Sequence, residues 1–201
     1  MIKTVIFDLG KVLIPFDFTR GYSAMEQHCD YPAAEIRARL AATDLVERFE
    51  TGLVEPEPFV RQISSILGLR LDYRSFCNIW SSIFLPDPLV PESLLAGLRR
   101  NYRLLLLSNT NAIHFEMIRA TYPLLRQFHD FVLSYKVKAM KPSPAIYQAA
   151  VAKAGCRAEE CFFTDDVAAY VEGARQQGLD AVQFQSLGQL EGELRARGLD
   201  W

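Results

Sequence analysis

At 201 residues, the chain is long enough for one domain with a sizeable core, or one domain carrying an insertion, and a tight fit for two. Half of its residues are hydrophobic and 23% are charged, a balance that excludes a disordered chain, and the formal net charge of -2 offers no basic excess to drive binding to nucleic acid. No apolar stretch approaches the roughly 20 residues that span a bilayer, so the expectation is a soluble, cytoplasmic protein with a small-molecule or protein partner.

The first apolar run, Thr4-Val5-Ile6-Phe7, is rich in β-branched residues and ends at Asp8, with Gly10 two residues further on. Its continuous apolar character predicts a strand buried on both faces. Residues 33–52, 56–68 and 72–84 then show helical spacing with no comparable strand between them. Pro15 opens this region, and the proline-rich stretch 85–93 closes it. The economical interpretation is a helical insertion after the first strand.

Strand and helix alternate from there. Apolar runs at 102–110, 130–134, 161–166 and 180–184 are separated by helical patterns at 111–122, 143–155 and 167–178. The last two end at Gly155 and Gly178, residues suited to closing a helix. This rhythm predicts a parallel, doubly wound α/β sheet. The four cysteines, Cys29, Cys77, Cys156 and Cys161, have neither zinc-site spacing nor a paired motif and are expected to be free thiols.

Ligands of open parallel sheets bind beyond the carboxyl ends of the strands. Here those ends carry Asp8, then Ser108 and Asn109, then Asp165 and Asp166, with Lys141 in the loop before a helix that Pro142 and Pro144 would start. Taken singly, each has a plain structural explanation: a turn cap, a helix N-cap, or a solvated lysine. Together they form a chemical set. Carboxylates brought together need a cation, and a hard divalent ion such as Mg²⁺ prefers oxygen ligands. A phosphoryl group would be neutralised by that ion and by Lys141, with Ser108 donating a hydrogen bond, leaving Asp8 to attack phosphorus.

Four ordered segments, "FDLGKVL", "LLLLSNTN", "KPSPAIY" and "FFTDD" followed by "VEGA", resemble the haloacid dehalogenase-like hydrolases over nearly the whole chain. The resemblance implies a Rossmann-like core, residues 1–14 and 88–201, with a helical cap, residues 15–87, inserted after the first strand. It implies Asp8 as nucleophile, Ser108, Asn109 and Lys141 at the phosphate, and Asp8, Gly10 through its carbonyl, Asp165 and Asp166 around Mg²⁺. Asp165 would orient Lys141 or a metal-bound water. More narrowly, the first three segments are similar to bacterial phosphatases of glucose 1-phosphate and to the phosphatase domain of soluble epoxide hydrolases. The implied activity is hydrolysis of a small phosphorylated metabolite, a sugar phosphate among the candidates.

The pattern departs from the family in two places. Phosphatases of this family commonly carry a second aspartate, a general acid-base group, where Gly10 stands, and polar residues where Val167, Ala169 and Tyr170 stand. Gly10 keeps open a metal-independent 2-haloacid dehalogenase or a non-catalytic binding module; Asp165 and Asp166 argue against the former. In the cap, Glu47, Arg48 and Glu50 either meet substrate hydroxyls or form a solvated helix face, the simpler expectation.

Overall fold

The computed structural model describes residues 1–201. Five strands form one parallel sheet: β1 (Thr4–Phe7), β2 (Arg103–Ser108), β3 (Asp130–Leu133), β4 (Cys161–Asp165) and β5 (Asp180–Gln183), in the order β3-β2-β1-β4-β5. All five occupy the apolar runs picked out in the sequence. Order reverses on either side of β1, so its carboxyl end lies at the crevice where such sheets bind ligands.

Register fixes which side chains meet there. Phe7 pairs with Leu106 on one side and Thr164 on the other, and the Asp8 N–H donates to the Thr164 carbonyl at 3.0 Å. Asp8, Ser108 and Asp165 therefore leave three adjacent strands at nearly the same height.

Six helices cover the sheet or brace its edges: α6 (Glu92–Arg99), α7 (Ala112–Thr121), α8 (Ser134–Val137), α9 (Pro144–Ala154), α10 (Ala168–Gln176) and α11 (Leu187–Ala196). Five further helices lie in the insertion between β1 and α6. Because successive strand side chains point to opposite faces, β1 divides its own residues between two cores. Val5 and Phe7 join Leu104, Leu106 and Phe162, while Ile6 joins Leu105, Leu107 and Phe163.

The insertion comprises α1 (Phe18–Glu26), α2 (Ala33–Ala41), α3 (Leu45–Glu50), α4 (Pro56–Leu67) and α5 (Tyr73–Ser81). It buries a hydrophobic core of its own, centred on Phe49, Phe59, Phe76 and Trp80, with Ile113 of α7 reaching into it. The helical pattern of 33–52 resolves into two helices, α2 and α3. Leu40 is buried in the last turn of α2, and the Thr43 hydroxyl accepts the Leu45 N–H at 3.4 Å at the start of α3. No helix is long and apolar enough to cross a membrane, and all four cysteines are free.

Phe59 is fully buried and stacks on Phe49 with ring centroids 4.0 Å apart. Phe59→Ala should cost about 3–5 kcal/mol through lost contacts and a residual cavity, measured as a shift in the urea unfolding midpoint of the insertion.

Candidate active site

Lys141 lies at the centre of the strand-end cluster. Its side chain is 1% exposed, and its ammonium donates to Asp8 Oδ1 at 2.6 Å, to Asp165 Oδ2 at 2.6 Å and to the Leu107 carbonyl at 3.2 Å. All three ammonium protons are thus used. The rings of Tyr170 and Phe163 lie 5.2 and 5.8 Å from the nitrogen and add a favourable quadrupole contact on faces that water does not reach. Tyr170, a departure from the family pattern, thereby supports the lysine with an aromatic face.

Asn109 determines where this lysine starts. Its Oδ1 accepts the Lys141 N–H at 2.8 Å, and its Nδ2 donates to the Lys141 carbonyl at 3.1 Å. Both ends of the amide hold the Lys141 backbone, so the side chain expected at the phosphate acts first as a clamp on the loop. Ser108 is buried at the end of β2, its hydroxyl 3.3 Å from the Asn109 carbonyl.

The three aspartates differ in what they have left to give. Asp165 is fully buried and spends Oδ2 on Lys141 and Oδ1 on the Val167 N–H at 2.9 Å. Asp8 keeps Oδ2 free of protein hydrogen bonds, and the half-buried Asp166 carboxylate accepts none at all. Burial pushes Asp8 up to about 7 against the pull of Lys141, with Asp165 pushing the same way. Burial opposes the charge on Lys141 too, but Asp8 and Asp165 together outweigh it and hold the ammonium above its ordinary range. Burial, then Asp165, also raises Asp166.

Three carboxylates against the buried Lys141 ammonium and the more exposed Lys11 leave an excess of negative charge in a poorly hydrated place. Carboxylate oxygens of Asp8, Asp165 and Asp166 lie within 4.8 Å of one another. The Gly10 carbonyl also accepts no protein hydrogen bond. This all-oxygen donor set, with free lone pairs on Asp8, Asp166 and Gly10, fits a small hard cation such as Mg²⁺.

Gly10 itself is a packing requirement. A Cβ there would sit 2.6 Å from Cε1 of Phe16, whose ring packs against Phe18 and Phe84. An acid at this position would have to displace that ring. His114, which the sequence did not single out, is buried nearby. It stands 3.0 Å from the Trp80 carbonyl through Nε2 and 3.1 Å from Asn111 Nδ2 through Nδ1, and burial lowers it to about 4, so its neutral ring is fully engaged. In the insertion, Arg48 is exposed and 3.9 Å from Asp44, whereas Glu47 and Glu50 line a cavity.

The parallel sheet thus gathers at one edge an acid just after its first strand, a lysine bridge to a later acid and a free carboxylate beside them. Residues 2–178 match the family model of haloacid dehalogenase-like hydrolases, and the chain belongs to that family. A phosphatase from Mycobacterium tuberculosis is 30% identical over 201 residues, covering 94% of this chain and 89% of its own. D-ribitol-5-phosphate phosphatase from Bacteroides thetaiotaomicron is 26% identical, covering 91% and 92% respectively. A family enzyme from the same organism, solved in complex with magnesium and inorganic phosphate, superposes with a TM-score of 0.84 at 28% identity, over 93% of this chain and 96% of that one.

Lys141→Met would leave Asp8 and Asp165 facing each other without a counter-charge, at a cost of about 3–5 kcal/mol in EDTA. The native carboxylates would then bind protons that the unfolded ones release, so the deficit should be larger at pH 8 than at pH 5. Urea titrations at both pH values check the sign. Gly10→Ala should lower stability by about 1–3 kcal/mol through overpacking against Phe16, measured the same way.

Proposed function

We propose that this chain is a Mg²⁺-dependent phosphomonoester hydrolase acting on a small phosphorylated metabolite, a phosphorylated sugar or polyol being the favoured class. Residues 15–87 serve as a cap over the core formed by 1–14 and 88–201. The observation that carries this is the Lys141 ammonium shared by Asp8 and Asp165 at 2.6 Å each, with the Asp166 carboxylate and the second Asp8 oxygen left free. Family membership and the phosphatase names of its relatives support it.

In this mechanism a free Asp8 oxygen attacks phosphorus, the bond to the leaving oxygen breaks, and an aspartyl phosphate forms. Lys141 stays between Asp8 and Asp165, keeping the nucleophile's other oxygen in place and meeting the charge of the phosphoryl group. Ser108 offers its hydroxyl to a phosphoryl oxygen at the end of β2. Water then cleaves the acyl phosphate, releasing inorganic phosphate and restoring Asp8. Asp8, the Gly10 carbonyl and Asp166 would hold Mg²⁺, which when bound would supply Lewis-acid neutralisation of the phosphoryl charge.

The alternative of a phospho-ligand-binding module without turnover draws on Gly10, since the usual acid-base side chain is missing. A metal-independent dehalogenase has no use for the free Asp166 carboxylate, which would repel an anionic substrate.

Phosphate release from a panel of sugar and polyol phosphates should require Mg²⁺ and stop in EDTA. Asp8→Asn should abolish it while leaving the circular dichroism spectrum unchanged. Turnover that survives EDTA or Asp8→Asn would contradict the assignment.

A further inference from the structure

Phosphate-ester cleavage calls for a proton at the leaving oxygen, and the position that commonly supplies one is Gly10, blocked by Phe16. The walls of the space above Gly10 offer few substitutes. A cavity of about 70 Å³ opens on Gly10, Ser108, Asn109 and Thr110 from the core, and its only titratable lining residues are Glu50 and His114. Both ring nitrogens of His114 are occupied. Glu50 is different, for its carboxylate accepts no hydrogen bond and meets no cation.

We propose that Glu50, carried by the cap, is the proton donor and acceptor of this site in place of the residue missing at position 10. This inference rests on the phosphomonoesterase reading. As the phosphorus–oxygen bond breaks, the Glu50 carboxyl gives its proton to the departing alkoxide, which leaves as an alcohol. When water attacks the aspartyl phosphate, the Glu50 carboxylate takes the water's proton as the new oxygen–phosphorus bond forms. Each cycle returns Glu50 to its neutral form with no outside acid or base.

Three observations support the assignment. First, Glu50 also lines a second cavity of about 390 Å³ inside the cap, with Tyr22, Val46 and Trp80, so it stands where the space over the core meets the space available to a leaving group. Second, its backbone is tied to the core. The Glu50 carbonyl accepts the Ser134 hydroxyl at 2.6 Å, and the Ser134 hydroxyl oxygen in turn accepts the Thr110 N–H at 2.9 Å, linking the end of α3 to the loop after β2. Third, burial, then the neighbouring Glu47, raises its carboxyl to about 7, where it can both give and take a proton near neutral pH.

Aryl phosphates test this directly, because a nitrophenolate leaves without a proton and a phenolate does not. With Mg²⁺ present, Glu50→Gln should lower kcat/KM for phenyl phosphate by about 10²- to 10⁴-fold and leave that for 2,4-dinitrophenyl phosphate within a few-fold of the wild type. Binding of inorganic phosphate should not change. An equal loss on both esters, or no loss on either, would overturn the role of Glu50 while leaving the phosphatase assignment intact. The wild-type protein gives an independent check: its kcat/KM should depend weakly on leaving-group acidity, and a steep dependence would overturn the proposal whether or not the variant folds. Failure of the wild type to hydrolyse any ester would overturn the phosphatase assignment and this inference with it.

Discussion

A single buried ammonium organises the strand ends. Lys141 is held between Asp8 and Asp165 with almost no contact with water, and taking three charges out of solvent is costly unless their geometry is nearly ideal. Such a cluster is poor value as a stabilising device, since well-packed apolar residues of similar volume would do as well or better. Its retention makes sense as chemistry. Everything around it serves placement: β1 and β4 bring Asp8 and Asp165 to one height, and Asn109 grips the Lys141 backbone at two points.

The helical insertion is positioned with comparable care. Two residues after Glu50, Gly52 adopts a left-handed φ of 67°, and a Cβ there would lie 2.0 Å from the Tyr135 carbonyl oxygen, so only glycine permits the approach. Lys138 donates to the Gly52 carbonyl, the Thr51 hydroxyl lies 3.2 Å from the Met140 sulfur, and Ser134 donates to the Glu50 carbonyl. One short turn of the insertion is therefore fastened to the same stretch of core that leads into Lys141. The Glu50–Gly52 turn and the loop that carries Lys141 thus share a common anchor.

Much of this was legible in the sequence because the relevant signals are strong and local. Leu104 to Leu107 cannot be anything but buried, and a run of that kind ending in Ser108 and Asn109 announces both a strand and what stands at its end. The helix α1 was not visible, since its only buried residues are Gly21 and Met25 and its start depends on Asp17 capping the Thr19 N–H at 2.9 Å. From sequence, Asn109 is expected at the phosphate because it stands with Ser108 at the end of a strand; that its amide is occupied by a residue 32 positions away is a tertiary fact. Glu50 shows the same limit. In the pattern of 47–50 it reads as part of a charged face, and only the docking of the Glu50–Gly52 turn separates it from the exposed Arg48. Gly10, read in sequence as an acid lost, is in space a site filled by Phe16.

The central claim is that Asp8, held by Lys141, becomes covalently phosphorylated during turnover. Acid quenching of the enzyme within a single turnover, followed by peptide mapping by mass spectrometry, reads this directly. The account predicts a phosphoryl adduct on the peptide carrying Asp8, lost on raising the pH and absent from Asp8→Asn. Turnover without any adduct, or an adduct mapped to another residue, would contradict it.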